Sequence, residues 1–167
     1  MVQIEWAQRT FNFDFPVAVF PGIVERLRGT PARVAELTRG VPHNMLIRRV
    51  HNRWSVHEHV GHLIDLDELD HLRLDEYLAG RTQLSAADMR NQRTEEARYN
   101  DVALGTIVEY LRARRADLVQ RLEGLSDEAI GRSALHPRLQ QPMRLVDWAY
   151  FVAEHDDHHL ARIRELT

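Results

Sequence analysis

Apolar residues recur at the spacing of an α-helix along four stretches of this 167-residue sequence, and this pattern is the strongest constraint on its fold. The stretches lie at about residues 17–37, 55–78, 101–124 and 144–166. Strand-like alternation is confined to Phe11, Phe13 and Phe15 within residues 1–16, which we interpret as an N-terminal arm that packs onto the domain. We therefore predict an all-α fold, a four-helix bundle that forms a single domain over residues 1–167.

Capping residues and a long polar segment set the path of the chain through this bundle. Ser55 followed by Glu58 is a capping box that begins the second helix, and Gly80 follows its predicted end near Leu78. Residues 80–100 are polar and lack clear periodicity. A connection of about 20 residues can return along a helix of about 35 Å. This length predicts that helices two and three run parallel, joined by one long crossover.

Prolines predict two further breaks. The sequence Gly29-Thr30-Pro31 predicts an interruption of the first helix, with Thr30 as the N-cap of a second segment and Pro31 at its first position. The segment HPRLQQP at 136–142 is bracketed by prolines and predicts a loop before the fourth helix. We predict no strand after residue 16.

Amino-acid composition removes several kinds of chemistry. The chain has no cysteine, so a thiolate nucleophile, a disulfide and a thiolate-ligated metal are excluded. All 22 basic residues are arginine, which excludes a lysine Schiff base or lysine general base. Neither GxxxxGK[ST] nor GxGxxG occurs, so the common phosphate-binding loops are missing. Histidine, by contrast, occurs ten times and directs attention to metal chemistry.

Charge and hydropathy predict where the protein works and what it binds. The net charge of −3 argues against a broad nucleic-acid surface. No apolar run approaches the roughly 20 residues that cross a bilayer. The start of the sequence, MVQIEWAQRT, lacks the basic-then-apolar pattern of a signal peptide. We therefore expect a cytoplasmic protein with a small-molecule substrate and no nucleic-acid or membrane partner.

The fourth helix carries two histidines inside its apolar stripe. At about 100° per residue, seven side chains fall within an arc of roughly 80°. These are Leu145, Trp148, Val152, His155, His159, Ile163 and Leu166. The side chains of an i,i+4 pair point in the same direction, so His155 and His159 can bind one cation. Burying an imidazole nitrogen without a partner costs free energy, and a shared cation would provide that partner for both rings. The alternative is a pair of packed histidines bonded to backbone or carboxylates. His158, beside the stripe, is expected at its boundary or as an outer partner.

The second helix offers a third ligand among His57, His59 and His62. On a helical projection, His59 and His62 fall on one edge of the buried face, whereas His57 points away from it. Periodicity alone mildly favours His59, which lies nearer the centre of that face. It does not decide between the two.

Two segments of the sequence resemble the signature helices of the DinB/YfiT-like metalloprotein superfamily, which is distinct from the DNA polymerase that shares its name. They are WSVHEHVGHLIDLDEL at 54–69 and AEHDDHHLARI at 153–163. The resemblance implies that His62, His155 and His159 are the metal ligands. It covers nearly the whole chain, through FNFDFPV (11–17), ERLRGTPAR (25–33), ADM (87–89) and ALHPRLQQPMR (134–144).

The resemblance also implies a topology, an assembly and an activity. Members of this superfamily have an up-down-down-up bundle, which agrees with the predicted crossover, and they frequently form homodimers. Characterised members include transferases and an isomerase that use low-molecular-weight thiols such as bacillithiol, mycothiol or glutathione. The resemblance therefore favours a thiol S-transferase whose thiol comes from a cosubstrate.

A site of three neutral imidazoles leaves the charge of a divalent ion intact and a coordination position open. A water, a thiol or a carbonyl oxygen can occupy that position, so the site suits either thiol activation or hydrolysis. Zinc is our first choice of metal, with nickel or iron as alternatives. The alternatives to a transferase are a metal-dependent hydrolase and a non-catalytic metal-binding bundle of the stress response.

An acidic run follows His62 on the second helix, formed by Asp65, Asp67, Glu68 and Asp70. We expect most of it to be a solvated face. Asp67 and Asp70 project toward the apolar arc, where one of them could orient a ligand histidine. The alternative for each is a buried ion pair with an arginine of another helix.

The loop before the fourth helix supplies three candidate substrate contacts. His136, Arg138 and Arg144 could contact an acidic thiol, and the alternative for each is a solvated loop position.

Two other metal-site motifs do not fit. HEHVGH at 57–62 places its outer histidines about 140° apart, unlike the HExxH motif of metalloproteases. HDDHH at 155–159 has Asp156 in place of the general-base glutamate. A di-iron bundle needs two inward-facing Glu-x-x-His motifs, but Glu58 is followed three residues later by Gly61 and Glu154 by Asp157.

Overall fold

The computed structural model describes residues 4–167, so the first three residues of the predicted arm lie outside it. Its α-helices are α1 (Phe20–Leu37), α2 (His43–Leu46), α3 (Val56–Asp65), α4 (Asp67–Leu78), α5 (Gln92–Glu96), α6 (Leu104–Glu123), α7 (Asp127–Gly131) and α8 (Leu145–Leu166). Two short strands, β1 (Ser133–His136) and β2 (Gln141–Arg144), pair as an antiparallel hairpin. Short 3₁₀ turns occupy Trp6–Gln8, Val17–Val19 and Tyr99–Asp101.

Ion pairs show that α4 and α6 run in the same direction. Asp67 pairs with Arg114, and Asp75 pairs with Arg121, so residue numbers increase together along the two helices. The segment between Leu78 and Leu104 must therefore return along the length of the bundle. This confirms the predicted crossover between the second and third long helices.

The remaining directions complete an up-down-down-up bundle. His59 contacts His159 and His62 contacts His155, so α3 is antiparallel to α8. Arg26 pairs with Glu154 and Arg33 pairs with Asp157, so α1 is parallel to α8. The all-α, four-helix architecture predicted from sequence is confirmed.

The first helix passes through Pro31 without a break, so the predicted interruption at residues 29–31 is wrong. Pro31 has no N–H, which leaves the carbonyl of Leu27 without its helical donor. Tertiary packing offsets this loss. Leu27 and Thr30 are fully buried, and the Thr30 hydroxyl donates a hydrogen bond of 2.7 Å to Asp156 on α8. Packing against α8 therefore outweighs the local sequence signal.

Two other departures from the sequence predictions are small in extent. The predicted second helix divides at Leu66 into α3 and α4, although its Ser55–Glu58 capping box is confirmed. The predicted loop at 136–142 lies within the β1–β2 hairpin, so the expectation of no strand after residue 16 is wrong. Its strands are four residues long and β2 contains Pro142, which weakens the alternation on which recognition depends.

The N-terminal arm covers one of two apolar clusters. Trp6, Phe11, Phe13 and Phe15 pack against the larger cluster, which confirms the predicted packing for the described part of the arm. The second cluster lies between α3, α6 and the last turns of α8. Among residues 4–167, no helix is long and apolar enough to cross a membrane.

Gly61 allows an aromatic ring to lie directly on α3. A Cβ atom at this position would come within 2.3 Å of the Tyr99 ring. We therefore expect Gly61→Ala to lower the free energy of unfolding by about 1–3 kcal/mol through overpacking. The same change inside an unobstructed helix stabilises by about 1 kcal/mol. Gly29→Ala in α1 is the control, because its Cβ would meet only the end of Arg33 at 3.9 Å.

Chemical denaturation of the two alanine variants measures this difference. Equal stabilisation by Gly61→Ala and Gly29→Ala would show that Tyr99 does not pack on α3 as described.

Candidate metal centre

Three histidine side chains meet where α3 faces α8. One ring nitrogen from each of His62, His155 and His159 lies within 4.8 Å of the others, and all three residues are buried. The Nε2 atoms of His155 and His159 are 3.1 Å apart. Nitrogens that share a tetrahedral zinc ion are about 3.4 Å apart, given bonds of about 2.1 Å. The donor set and its spacing therefore fit one divalent ion, with a shift of at most about 1.4 Å at the widest pair.

A chain of hydrogen bonds orients His62. Its Nδ1 lies 3.1 Å from the Thr94 hydroxyl on α5, and that hydroxyl donates to Asp65 at 2.8 Å. Tyr99 donates a second hydrogen bond to Asp65 at 2.7 Å. With Nδ1 engaged in this way, Nε2 of His62 is the nitrogen that faces the other histidines. Outer partners of this kind fix the orientation of metal-binding imidazoles.

His59 contacts a member of the histidine cluster from outside it. Its Nδ1 is 2.9 Å from Nδ1 of His159. His159 is thus engaged through both nitrogens, on one side by His59 and on the other by His155. The structure places His62 in the three-residue cluster and His59 behind it, whereas periodicity had mildly favoured His59.

Burial keeps the cluster uncharged. Loss of hydration, followed by the nearby His158, lowers the pKa of His62 to about 4. Burial and then His62 hold the pKa of His155 well below its usual value. Burial and then His155 do the same to the pKa of His159. Neutral imidazole is the form that binds metal ions.

A cavity of about 790 Å³ lies against the three histidines. This volume is within the range of about 300–1,000 Å³ found for small-molecule sites. Apolar aromatic walls and cationic side chains share its lining. Those residues are Trp6, Trp54, Phe151, Arg53, Arg73, Arg138 and Arg162. Four carboxylates, Glu5, Asp70, Asp88 and Glu95, line the cavity as well, so it suits a partly apolar small molecule and presents both signs of charge to it.

Trp54 forms the wall of this cavity beside the cluster. Its ring centroid lies 4.7 Å from that of His62 and 6.1 Å from that of His159. Its indole N–H donates to Glu95, which follows Thr94 on the crossover. The Trp54-Ser55 pair therefore has two roles, because Ser55 caps α3 while Trp54 packs on the histidines.

Several residues singled out from sequence lie elsewhere. His57 is buried but faces Tyr99, whose carbonyl is 3.1 Å from its Nδ1. Asp67 pairs with Arg114 at 2.9 Å, so the ion-pair alternative is correct for it. Arg144 binds Asp147 and the carbonyls of Phe13 and Phe15, away from the cavity.

The other candidates line the cavity. Asp70 does so and lies 4.0 Å from Arg115, so it too faces an arginine of another helix. His136, Arg138 and His158 are lining residues as well. Thr94 and Asp65, which are hydrogen-bonded in a chain to His62, are the positions near the cluster that sequence reasoning misses. Thr94 lies in the polar crossover, where no motif or periodicity distinguishes it. Asp65 belongs to the acidic run that the sequence predicts to be mostly a solvated face.

A family comparison agrees with this arrangement. The sequence model of the DinB superfamily matches residues 26–163, which is more than half of the chain and includes the three clustered histidines. The chain belongs to the DinB superfamily. No curated protein matches the sequence significantly.

One solved structure shows how far the superfamily fold extends over this chain. YfiT from Bacillus subtilis is described as a probable metal-dependent hydrolase with an unusual four-helix bundle topology. It superposes with a TM-score of 0.80 at 19% sequence identity, covering 95% of this chain and 91% of YfiT. At this identity the likeness shows the fold, which this DinB-superfamily chain shares over nearly its whole length.

The lowered histidine pKa values predict an unusual pH dependence for metal affinity in this DinB-superfamily protein. Protons compete with a metal for imidazole, so acid weakens binding. Three histidines of ordinary pKa near 6.5 would lose affinity several hundred-fold between pH 7 and pH 5.5, by about tenfold for each ligand. With the pKa of His62 at about 4 and the other two also lowered, we expect a loss below about threefold.

Competition against a chromophoric chelator for zinc, at the two pH values, measures this change. A several hundred-fold loss would show that the three imidazoles titrate as exposed histidines do.

Proposed function

We propose that this protein is a metal-dependent enzyme that binds one divalent ion through His62, His155 and His159 and acts on a small molecule in the adjacent cavity. The observation that carries this proposal is the convergence of three buried, neutral imidazoles on the cavity, with Thr94 and His59 orienting two of them. Zinc is the first choice of ion, with nickel or iron as alternatives.

A thiol S-transferase is the reaction class that we favour. An ion in this site supplies Lewis-acid chemistry, lowering the pKa of a bound thiol or water and polarising a substrate carbonyl. The chain has no cysteine of its own, so a reacting thiol would come from a low-molecular-weight cosubstrate. Cationic groups in the cavity, among them Arg53, Arg73 and Arg138, suit the carboxylates that such thiols carry.

Asp70 is a buried carboxyl group in the cavity lining. Burial raises the pKa of Asp70 to about 7, although Arg115 and Arg73 act in the opposite direction. A carboxyl group with a pKa near the working pH is populated in both protonation states.

A metal-dependent hydrolase is the second candidate. One observation favours it specifically, since the structurally similar YfiT is described as a probable metal-dependent hydrolase. Hydrolysis would use the same histidines and the same cavity but no thiol. The non-catalytic alternative, a metal-binding bundle of the stress response, would bind the ion without turning over any substrate.

A matched pair of assays separates these functions. Protein loaded with zinc, nickel or iron is incubated with electrophiles in the presence of glutathione, mycothiol or bacillithiol, and separately with esters and amides without a thiol. Conjugation that disappears in His62→Ala supports the transferase, and thiol-independent cleavage that disappears in this variant supports the hydrolase. Metal binding without either reaction would favour the non-catalytic alternative.

Homodimer formation, a cytoplasmic location and the lack of nucleic-acid or membrane partners stay predictions.

A further inference from the structure

His136, at the end of β1, belongs to the cavity lining and carries an N–H group that no atom of residues 4–167 accepts. The backbone N–H of Leu139 donates to its Nδ1 at 3.2 Å, so in the neutral ring the proton is on Nε2. Burial, followed by Arg73 and Arg138, lowers the pKa of His136 to about 3, which keeps the ring neutral. His136 is only 2% exposed, and its Nε2 is buried without a hydrogen-bond partner among residues 4–167.

Arg138 offers a second unused donor in the same hairpin. One guanidinium nitrogen donates to the carbonyl of Ala7 at 3.1 Å, while its Nη2 is buried and finds no acceptor among residues 4–167. Burial, followed by the charge of Arg73, lowers the pKa of Arg138. Buried donors without acceptors cost free energy, so a site that keeps two of them together is prepared for an acceptor from outside the protein.

Two aromatic rings hold these donors beside the histidine cluster. The Phe151 ring centroid lies 4.9 Å from that of His136 and 5.4 Å from the Arg138 guanidinium. The Trp6 ring centroid lies 5.7 Å from the same guanidinium and 4.9 Å from the ring of His155. A ligand resting on Trp6 and Phe151 can therefore reach both the donors and the cluster.

The charges that act on His136 and Arg138 are positive. Arg73 acts on both His136 and Arg138, and it shares the cavity lining with them. Asp70 is a carboxylate in the same lining, but its charge faces Arg115 at 4.0 Å. His136 and Arg138 can only donate at the atoms in question, and an ionised carboxylate can only accept.

We propose that Nε2–H of His136 and the Nη2 group of Arg138 form a subsite for the carboxylate of a small organic acid whose apolar part rests on Trp6 and Phe151. This inference rests on the proposed function in one respect, since it treats the cavity as the substrate site. The subsite itself needs no metal. It sets specificity by anchoring the carboxylate end of the substrate while the reacting end lies toward His155.

Two probes of equal shape and different charge test the subsite. The full chain, stripped of metal with a chelator, is titrated with 3-phenylpropionate and with neutral 3-phenylpropanamide. The titrations follow the histidine ring nitrogens by NMR. We expect the carboxylate to bind about tenfold more tightly or better, because its oxygens accept charge-assisted hydrogen bonds that the amide cannot match. The signal of the His136 Nε2–H should shift on binding.

Three variants locate the effect. His136→Asn keeps an acceptor for the Leu139 N–H but lacks the Nε2–H donor, and Arg138→Met removes the guanidinium. Each should reduce the preference for the carboxylate by about tenfold. Arg98→Gln is the control for loss of one positive charge, because the Arg98 side chain is 86% exposed and lies outside the cavity lining. It should change neither affinity.

Several outcomes would overturn the proposal. They are equal affinities for the two probes, no detectable binding of the carboxylate, or an unchanged preference in Arg138→Met. If His136→Asn does not fold, Arg138→Met decides alone, since Arg138 lies in the turn of the hairpin. The same titration of His155→Ala separates the two proposals. This variant lacks a proposed metal ligand but keeps His136 and Arg138, so its preference for the carboxylate should be unchanged. Carboxylate preference without metal binding in the wild type would contradict the proposed function and leave the subsite standing.

Discussion

His155→Ala is expected to lower the affinity for zinc by more than about 100-fold. Loss of an outer hydrogen-bond partner alone costs about 10–100-fold in metal affinity, and His155 is one of only three proposed ligands. His62→Ala and His159→Ala should have effects of the same size. Isothermal titration calorimetry on tag-free protein, together with metal analysis of the protein as purified, measures the change.

Two further histidine variants make this test specific. His59→Phe keeps a ring next to His159 but removes the nitrogen 2.9 Å from it, so we expect a loss of about 10–100-fold. His43→Gln removes an exposed histidine that lies outside the cavity lining and the histidine cluster, and it should bind zinc as the wild type does. Equal zinc affinities in the wild type and all three ligand variants would refute the metal site.

Arg115→Leu is expected to lower the free energy of unfolding by about 3–5 kcal/mol. Arg115 and Asp156 are 2% and 1% exposed, and their side chains are 3.0 Å apart. Thr30 donates to the other oxygen of Asp156, so this pair ties α6, α8 and α1 together. Removing Arg115 leaves a buried carboxylate without its counter-charge, and that loss exceeds the cost of breaking an exposed pair.

A control on the same helix and a double variant test the cause. Arg112 pairs with Glu109 at the surface, and Arg112→Leu should change stability by no more than about 0.5 kcal/mol. Arg115→Leu combined with Asp156→Leu should be more stable than Arg115→Leu alone, because the carboxylate that lost its 3.0 Å partner is removed as well. Urea denaturation of the three variants gives the comparison. A single Arg115→Leu variant that unfolds like the wild type would contradict the buried ion pair.

Local sequence signals predicted the helices and two of the three clustered histidines. The Ser55–Glu58 capping box acts between residues three positions apart, and His155 and His159 are one helical turn apart. Such short-range relations are visible without the fold. The break expected at Pro31 is wrong because the packing of Thr30 against Asp156 comes from residues 126 positions apart in sequence.

The choice between His59 and His62 shows where periodicity stops being informative. Both lie on the same edge of the helix, so their angular positions on the helix differ too little to decide. Thr94 distinguishes them, because its hydroxyl reaches His62 from a segment 32 residues away. The choice of His62 came from the resemblance to a family, because the geometry of a single helix could not distinguish it from His59.

The crossover between α4 and α6 has a consequence for how this chain tolerates change. Surface connections usually accept insertions and deletions with little effect. Here Thr94, Glu95 and Tyr99 each reach back to α3 or to Trp54. A single added residue between α5 and Tyr99 would move these contacts out of register. A change of loop length would therefore first disturb the hydrogen bonds and packing around the histidines. In this bundle the longest connection is under a length constraint that surface connections usually escape.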